Sequence, residues 1–239
     1  MSGFIMKGTL FVVCLFIASA LSLGFEIANA DIDSKEVVTD TFEGNHLFTS
    51  KFERGDKWCT AVFLRDASFL TSAHCIDYKN SKEVLGYMYP AQSGTSTPLS
   101  YFSITEGIVY KEYSTNRIDD IAIAKSSDSN FTFNRYMKDR NLKIKVVDNI
   151  NDFIDKKVYT IGYASDMRNN YQIKRKGVIT HNWNNAFRVD VSVSGGQSGS
   201  GVYLEESDEL IGILEGGDQN TAFVTPVTKE VKDWIDRNK

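Results

Sequence analysis

Short apolar runs alternate with polar and glycine-containing segments along most of the chain between residues 37 and 225. The clearest runs have four or five residues, a length typical of β-strands and too short for most helices. They lie at 61–64, 121–124, 158–161 and 210–214. Aromatic residues make up 12% of the chain, which also favours β structure. This pattern predicts an all-β protein.

Three further patterns locate individual elements. Val189, Val191 and Val193 alternate with polar residues, which is the period-2 signature of a half-buried strand. The acidic segment 205–209 separates two apolar runs and predicts the tip of a hairpin. Helical spacing along one face occurs only near the end of the chain, at Val227, Val231, Trp234 and Ile235. It predicts a terminal amphipathic helix over about 227–238.

The first thirty residues have the organisation of a secretory signal peptide. An apolar stretch at about 10–23 follows Lys7, and the triplet Ala-Asn-Ala at 28–30 is a small-x-small cleavage site. Cleavage before Asp31 predicts a secreted, extracellular protein. An uncleaved membrane anchor is the alternative, although the stretch is short for a bilayer. No later segment is long and apolar enough to cross a membrane.

Composition and charge narrow the possible partners. The chain has 239 residues, of which 42% are hydrophobic and 24% charged, and its formal net charge is −4. These values are typical of a globular protein and exclude a disordered chain. The acidic balance predicts no binding to nucleic acid or to a membrane after signal cleavage. No cofactor is expected, because the sequence has no phosphate-binding glycine loop, metal-ligand cluster or dinucleotide motif.

Cys59 and Cys75 are the two cysteines that remain after removal of residues 1–30. In an exported protein an even number of cysteines predicts a disulfide. Closing a loop of about fifteen residues stabilises a protein by about 3 kcal/mol in the chain-entropy treatment. Two buried free thiols are the alternative. A metal site is less favoured, because two cysteines without a CxxC motif or paired histidines offer too few ligands.

Three short segments hold residue types that together could form a hydrolytic site. They read Thr-Ser-Ala-His-Cys at 71–75, Asp-Asp-Ile-Ala at 119–122 and Gly-Gly-Gln-Ser-Gly-Ser at 195–200. A serine hydroxyl needs a positioned base, and a histidine base needs a carboxylate that fixes its tautomer. Glycines beside the serine let the backbone turn sharply and direct N–H groups into one pocket, as an oxyanion requires. Each segment alone is a weak signal, but together with the two cysteines they are specific.

These segments resemble those of the trypsin/chymotrypsin-like serine proteases, with the same order of histidine, aspartate and serine. The resemblance extends from about residue 37 to the C-terminal helix. It implies two antiparallel six-stranded β-barrels followed by a C-terminal α-helix, with the active site in the cleft between the barrels. It implies that His74 is the general base, Asp120 the carboxylate that orients it and Ser198 the nucleophile. The backbone N–H groups of Gly196 and Ser198 would form the oxyanion hole.

Asp119 competes with Asp120 for the carboxylate role because the two residues are adjacent. Successive strand residues point to opposite faces, so only one of them can reach His74. The apolar residues that follow favour Asp120. His46 and His181 have no motif around them and are interpreted as structural or surface residues.

A closer resemblance is to the bacterial glutamyl endopeptidases, a branch that includes the exfoliative toxins, through the segments around Ser198 and Leu214. In that branch a histidine and a threonine bind the acidic substrate side chain. This chain has Leu214 and Val193 at those positions, so a bound glutamate would be left unpaired. We expect cleavage that is not directed at glutamate, and a pocket that favours an apolar or aromatic side chain. The expected substrate-binding residues are Val193, Leu214, Glu215 and Gly216, of which Glu215 could instead favour a basic side chain.

The expected organisation is a signal peptide over 1–30, a possible short pro-segment over 31–36 and a protease domain over 37–239. Within the domain the first barrel is expected at about 37–130 and the second at about 140–225. Gln197 lies where pancreatic-type proteases have an aspartate that pairs with a new N-terminus, so that activation switch is unavailable. Either a small trim near Val37 completes the enzyme or no trim is needed.

The functional hypothesis is a secreted serine endopeptidase that acts as a monomer on protein or peptide substrates through an acyl-enzyme. A catalytically idle relative that binds a partner through the same cleft is the alternative, although all three triad residues are present. A lipase or esterase is a further alternative. Its usual order of serine, aspartate and histidine differs, and Ser200 lies where a GxSxG motif needs glycine.

Overall fold

Fourteen strands in two antiparallel sheets account for most of the secondary structure in the computed structural model, which describes residues 35–95, 99–112, 119–128, 130–167 and 170–239. The strands are β1 Glu36–Val38, β2 Thr49–Arg54, β3 Lys57–Phe63, β4 Ser68–Thr71, β5 Gly86–Pro90, β6 Phe102–Ile104, β7 Glu106–Val109, β8 Ala122–Lys125, β9 Lys157–Gly162, β10 Gln172–Trp183, β11 Ala186–Asp190, β12 Gly201–Leu204, β13 Leu210–Gly217 and β14 Ala222–Pro226. The helices are α1 Phe131–Met137 and α2 Lys229–Asn238, with 3₁₀ turns at Gly44–His46, Ala73–Ile76 and Ile150–Phe153. The expected signal peptide at 1–30 lies outside the described residues.

The first barrel consists of β2 to β8, in the order β6-β5-β2-β3-β4-β8-β7. Only Thr105 separates β6 from β7, so these segments form one bent strand that pairs with β5 at one end and with β8 at the other. The barrel therefore has six strands. Its interior contains an aromatic cluster of Phe63, Phe69, Phe102 and Phe133, in which neighbouring ring centroids lie 4.9–5.4 Å apart in edge-to-face contacts.

The second barrel consists of β9 to β14, in the order β10-β11-β14-β13-β12-β9, and pairing between β9 and β10 closes it. Its core is mainly aliphatic and includes Ile179, Val189, Val202 and Val224. The two barrels confirm the fold that the sequence predicts.

The first strand, β1, belongs to the sheet of the second barrel, where Glu36 lies opposite Lys174 at the start of β10. The sequence-based boundary starts the first barrel near residue 37, whereas the first strand of that barrel begins at Thr49. The N-terminal segment therefore contacts the second barrel before the chain enters the first.

The C-terminal helix α2 is confirmed and packs against the first barrel. Thr228 caps the helix by accepting a hydrogen bond from the N–H of Val231 at 3.3 Å. Val231, Trp234 and Ile235 are buried, and the Trp234 ring packs edge-on against Tyr110 with 5.4 Å between centroids. Among the described helices, none has the length and apolar character needed to cross a membrane.

The helix α1 was not predicted, because seven residues are too few for a helical period to repeat. Asn130 caps it by accepting a hydrogen bond from the N–H of Phe133 at 2.9 Å. The fully buried side chain of Phe133 completes the aromatic cluster of the first barrel.

The alternation around Val189 is confirmed in burial but extends beyond the strand. Val189, Val191 and Val193 are all buried. However, β11 ends at Asp190, because the N–H of Val191 donates to the carbonyl of Val189 at 3.1 Å instead of to a neighbouring strand. The segment 205–209 joins the paired strands β12 and β13, as the hairpin prediction requires.

Candidate active site

His74 lies in the 3₁₀ turn that directly follows β4. The next residue, Cys75, forms a disulfide with Cys59 of β3, with 6.3 Å between the two Cα atoms. This bond confirms the predicted pairing and fixes the turn that carries His74 to the barrel wall. Both sulfur atoms are bonded to each other, so the group of Cys59, His74 and Cys75 is not a metal-binding set, although its ligand atoms lie within 4.8 Å of one another.

Asp120 contacts His74 through both carboxylate oxygens. Its Oδ2 lies 2.6 Å from His74 Nδ1, and its Oδ1 accepts a hydrogen bond from the backbone N–H of His74 at 2.9 Å. The carboxylate is only 4% exposed, so water competes little for these contacts. A hydrogen bond donated by Nδ1–H leaves Nε2 of a neutral imidazole as an acceptor, which is the tautomer that a general base requires.

Asp119 has a different partner. Its Oδ1 accepts a hydrogen bond from Lys111 Nζ at 2.9 Å, and its side chain is 14% exposed. Asp120 is therefore the carboxylate that contacts the imidazole. Both aspartates precede β8, so alternation along a strand does not account for their different partners.

Ser198 lies in a tight turn that needs glycine at two positions. Gly196 has φ = +85° and Gly199 has φ = +86°, in the region that favours glycine. A Cβ atom at Gly199 would lie 2.0 Å from the carbonyl oxygen of Thr60, and one at Gly196 would lie 2.4 Å from that of Tyr163. Both glycines are required for this close approach of the turn to neighbouring backbone.

The serine turn is attached to the first barrel through Thr60 of β3. The N–H of Thr60 donates to the carbonyl of Ser198 at 2.8 Å, and its Oγ1 donates to the carbonyl of Gly196 at 2.9 Å. Across the described residues, the backbone N–H groups of Gly196 and Ser198 donate to no protein acceptor. Thr60 therefore holds the serine turn through the carbonyl groups of Gly196 and Ser198. The N–H groups of these two residues remain available to another oxygen atom.

Two cavities meet at His74. One of about 710 Å³ is lined by His74, Ser198, Trp58 and the disulfide. The other, of about 530 Å³, is lined by His74, Asp120 and Glu215. The histidine and serine thus face a shared cleft of a size that accommodates peptide side chains.

The predicted substrate-binding residues fall into two groups. Glu215 and Gly216 line the second cavity, and a Cβ atom at Gly216 would lie 4.0 Å from Ser198 Oγ. Leu214 is fully buried and Val193 is 6% exposed, because both side chains pack in the core of the second barrel. Contact of Val193 and Leu214 with a substrate stays a prediction.

Several residues of the site were not singled out from the sequence. Tyr78 and Phe223 line the second cavity, and Thr60 attaches the serine turn. Tyr78 and Phe223 lie outside the three segments, so only the fold reveals their position. For Thr60, its place beside a disulfide cysteine was the only signal in the sequence.

The two remaining histidines lie outside the site. His46 packs beside Gln172, with 3.3 Å between Nδ1 and the amide oxygen, and burial lowers the pKa of its imidazole. His181 lies exposed on β10. Both positions agree with their interpretation as structural or surface residues.

Comparison with solved structures shows the same fold in proteins of low sequence identity. A Glu endopeptidase structure superposes with a TM-score of 0.72 at 18% identity, covering 86% of this chain and 96% of that chain. The protease Anisep from Arthrobacter nicotinovorans gives a TM-score of 0.63 at 14% identity, covering 83% and 96%. The scabies mite inactivated protease paralogue S-I1 gives 0.66 at 14%, covering 85% and 98%.

These identities show the fold alone, so membership of the glutamyl endopeptidase or exfoliative toxin branch stays a prediction. No curated protein matches the chain in sequence. Residues 38–235, however, match the Trypsin family, and this range includes both barrels and all three residues of the expected triad. The chain belongs to the trypsin family.

Proposed function

We propose that this protein is a secreted serine endopeptidase that hydrolyses peptide bonds through an acyl-enzyme on Ser198. The observation that carries the proposal is the double contact of the buried Asp120 carboxylate with His74, beside the turn that holds Ser198. Trypsin-family membership supports a peptidase, and the residues needed for that chemistry lie around one cleft.

In the proposed mechanism His74 Nε2 accepts the proton of the Ser198 hydroxyl while Oγ attacks the substrate carbonyl. The N–H groups of Gly196 and Ser198 donate to the oxyanion that forms. The imidazolium then gives its proton to the departing amine, and the acyl-enzyme remains. Water, deprotonated by the same imidazole, hydrolyses the ester and restores the serine.

Asp120 holds the reactive tautomer of His74 and stabilises the imidazolium formed during attack. Its two contacts fix both the ring and the backbone of the histidine, so the ring has little freedom to rotate. Because the carboxylate is almost fully buried, its interaction with the positive ring is weakly screened.

The proposed specificity excludes glutamate as the preferred residue. Val193 and Leu214 lie where glutamyl endopeptidases have polar residues, but both side chains pack in the core of the second barrel and offer no donor or positive charge to a bound carboxylate. Glu215 adds a carboxyl group to the wall of the second cavity, where its Oε1 accepts a hydrogen bond from Thr225 Oγ1 at 2.8 Å. This carboxyl group further disfavours an acidic substrate side chain, whereas Phe223 in the same wall favours an apolar or aromatic one. A basic side chain, attracted by Glu215, is the alternative.

Export and a monomeric state complete the proposal. The signal-peptide pattern at 1–30 supports secretion, and the range that matches the Trypsin family contains one complete set of triad residues. Proteins or peptides are the expected substrates.

The alternative of an idle binding protein is less favoured because the His74–Asp120 contact is intact, although an inactivated paralogue shares the fold.

Digestion of a peptide library by the protein secreted from the full-length chain tests both parts of the proposal. Ser198→Ala should abolish cleavage, with a loss on the order of 10⁶ in kcat. Ser200→Ala is the matched control, because its buried hydroxyl has no hydrogen-bond partner in the described part of the chain. Equal cleavage by wild type and Ser198→Ala would refute the peptidase assignment. A kcat/KM for Glu peptides equal to or above that for Leu, Phe and Lys peptides would refute the specificity alone.

A further inference from the structure

Asp166 connects three separate segments of the second barrel. Its Oδ2 accepts a hydrogen bond from Lys35 Nζ at 2.8 Å, just before β1. Its Oδ1 accepts one from Ser194 Oγ at 2.9 Å, in the segment that precedes the serine turn. Arg175 Nη2, on β10, lies 3.4 Å from Oδ2. One carboxylate on the β9–β10 loop thus links the N-terminal segment to the approach to Ser198.

Ser194 is coupled in turn to the residue beside the nucleophile. Its backbone N–H donates to Gln197 Oε1 at 2.9 Å, and the N–H of Gln197 donates back to the Ser194 carbonyl at 3.3 Å. The Gln197 side chain is fully buried. The loop of Asp166 makes a second attachment, because the N–H of Ser165 donates to the carbonyl of Gly195 at 2.7 Å.

We propose that Asp166 is a positioning residue that couples the N-terminal segment, through Lys35, to the turn that carries Ser198. This inference rests on the proposed function. Two consecutive glycines, Gly195 and Gly196, lie between Ser194 and the nucleophile, so this stretch has unusual backbone freedom. Oxyanion stabilisation requires N–H groups that are already in place before attack. The two attachments to the Asp166 loop limit that freedom.

The charges around Asp166 suit this role. The hydrogen bond from Lys35 is the main cause that lowers the pKa of the Asp166 carboxyl, with a further contribution from Ser194. The group is therefore an anion at neutral pH and a strong acceptor for the Ser194 hydroxyl. Loss of Lys35 would remove one of the contacts that hold the Asp166 carboxylate in position. The enzyme consequently needs Lys35, and a trim near Val37 that removes it would lower activity.

Four variants of the full-length chain separate positioning from general stability. Asp166→Ala removes the carboxylate contacts with Lys35, Ser194 and Arg175, whereas Asp166→Asn keeps an acceptor for Ser194 and removes the charge. Lys35→Gln removes the same ion pair from the other side. Lys176→Gln is the matched control, because it breaks an exposed ion pair of the second barrel, with Glu205 at 2.6 Å, away from the serine turn.

Steady-state kinetics and backbone hydrogen exchange provide two readouts. For Asp166→Ala we expect a loss of about 10-fold in kcat with KM within about 2-fold, since Asp166 is 44% exposed and its contacts are partly screened. Asp166→Asn and Lys35→Gln should show smaller losses in the same direction. Amide exchange over residues 194–198 should be fastest in Asp166→Ala, slower in Asp166→Asn and slowest in the wild type. Lys176→Gln should match the wild type in both kinetics and exchange.

Wild-type kcat and wild-type exchange in Asp166→Ala would overturn the inference. Faster exchange throughout the second barrel in Asp166→Asn, without a preferential effect at 194–198, would overturn it as well. If the wild-type protein cleaves no peptide, the proposed function fails, whereas the exchange readout still tests the coupling. The two failures are therefore distinguishable.

Discussion

Replacing Asp120 by asparagine is a close test of the proposed role of His74 as the general base, because aspartate and asparagine side chains have nearly the same shape. In the wild type one oxygen accepts from His74 Nδ1 at 2.6 Å and the other from the His74 backbone N–H at 2.9 Å. Asparagine can keep only one acceptor oxygen. If the oxygen stays with the backbone N–H, the amide NH₂ faces Nδ1 and forces the tautomer that carries its proton on Nε2.

A protonated Nε2 cannot accept the serine proton, and a neutral amide does not stabilise an imidazolium. Loss of this arrangement is worth about 10⁴ in kcat, or about 5 kcal/mol at 1.36 kcal/mol for each tenfold change. KM should change little, because Asp120 is 3% exposed and both of its carboxylate oxygens are occupied by contacts with His74. Steady-state assays with the best library peptide would measure both constants.

Asp119→Asn is the matched control for this experiment, since it changes the neighbouring carboxylate, which pairs with the exposed Lys111 and not with His74 Nδ1. We expect its kcat to stay within about 2-fold of wild type, because the contact that holds the imidazole is unchanged. A kcat for Asp120→Asn within 10-fold of wild type would refute the assigned role. An equal loss in Asp119→Asn would refute the discrimination between the two carboxylates.

Three further predictions concern stability. The double variant Cys59→Ala/Cys75→Ala should lose about 3 kcal/mol of unfolding free energy in urea titrations, because the disulfide closes a loop with a sequence separation of 16. Gly199→Ala should lose more than about 3 kcal/mol, since its Cβ would lie 2.0 Å from a backbone oxygen. Asp77 has a pKa lowered mainly by its hydrogen bond from Arg54, so its small stabilising contribution should be complete above about pH 4 and vanish as the pH falls further.

A control variant or a contrary result is defined for each of these three stability predictions. Gly55 also has a positive φ, of +63°, but a Cβ there would meet no atom within 4 Å. Gly55→Ala should therefore cost only about 1 kcal/mol, and an equal loss at both glycines would contradict the steric explanation. An unfolding free energy unchanged by loss of the disulfide would contradict the loop-closure estimate. For the ion pair, a constant difference between wild type and Asp77→Asn from pH 7 to about pH 2 would contradict the pH dependence.

The proximity of His74, Asp120 and Ser198 could be anticipated because the signals for these residues are local in sequence. His74 lies beside a disulfide cysteine, Asp120 lies just before an apolar strand and Ser198 lies among glycines. Each of these arrangements meets a requirement of the proposed hydrolytic chemistry. The three sequence motifs therefore also predict the kind of local structure in which His74, Asp120 and Ser198 lie. Asp119 and Asp120 have different partners, as expected, but both precede β8, so the alternation rule was not the reason.

Contacts between distant segments could not be anticipated in the same way. The N-terminal strand pairs with β10, and Lys35 contacts Asp166 across 131 residues of sequence. Isolated charged side chains carry no periodic signal that identifies such partners. The assignment of Leu214 to the substrate pocket could not be checked from the sequence either. Its position along the chain does not show that its side chain packs into the barrel core.

The most direct measurement is labelling of the protein expressed from the full-length chain with a fluorophosphonate probe, followed by mass spectrometry of the modified peptide. A nucleophilic serine forms a covalent phosphonyl ester, and this reaction does not depend on knowledge of the natural substrate. We expect a single adduct on Ser198 that is absent in Ser198→Ala and strongly slowed in Asp120→Asn. An unlabelled Ser198 in folded wild-type protein would contradict the assignment of a competent serine peptidase and favour a binding protein instead.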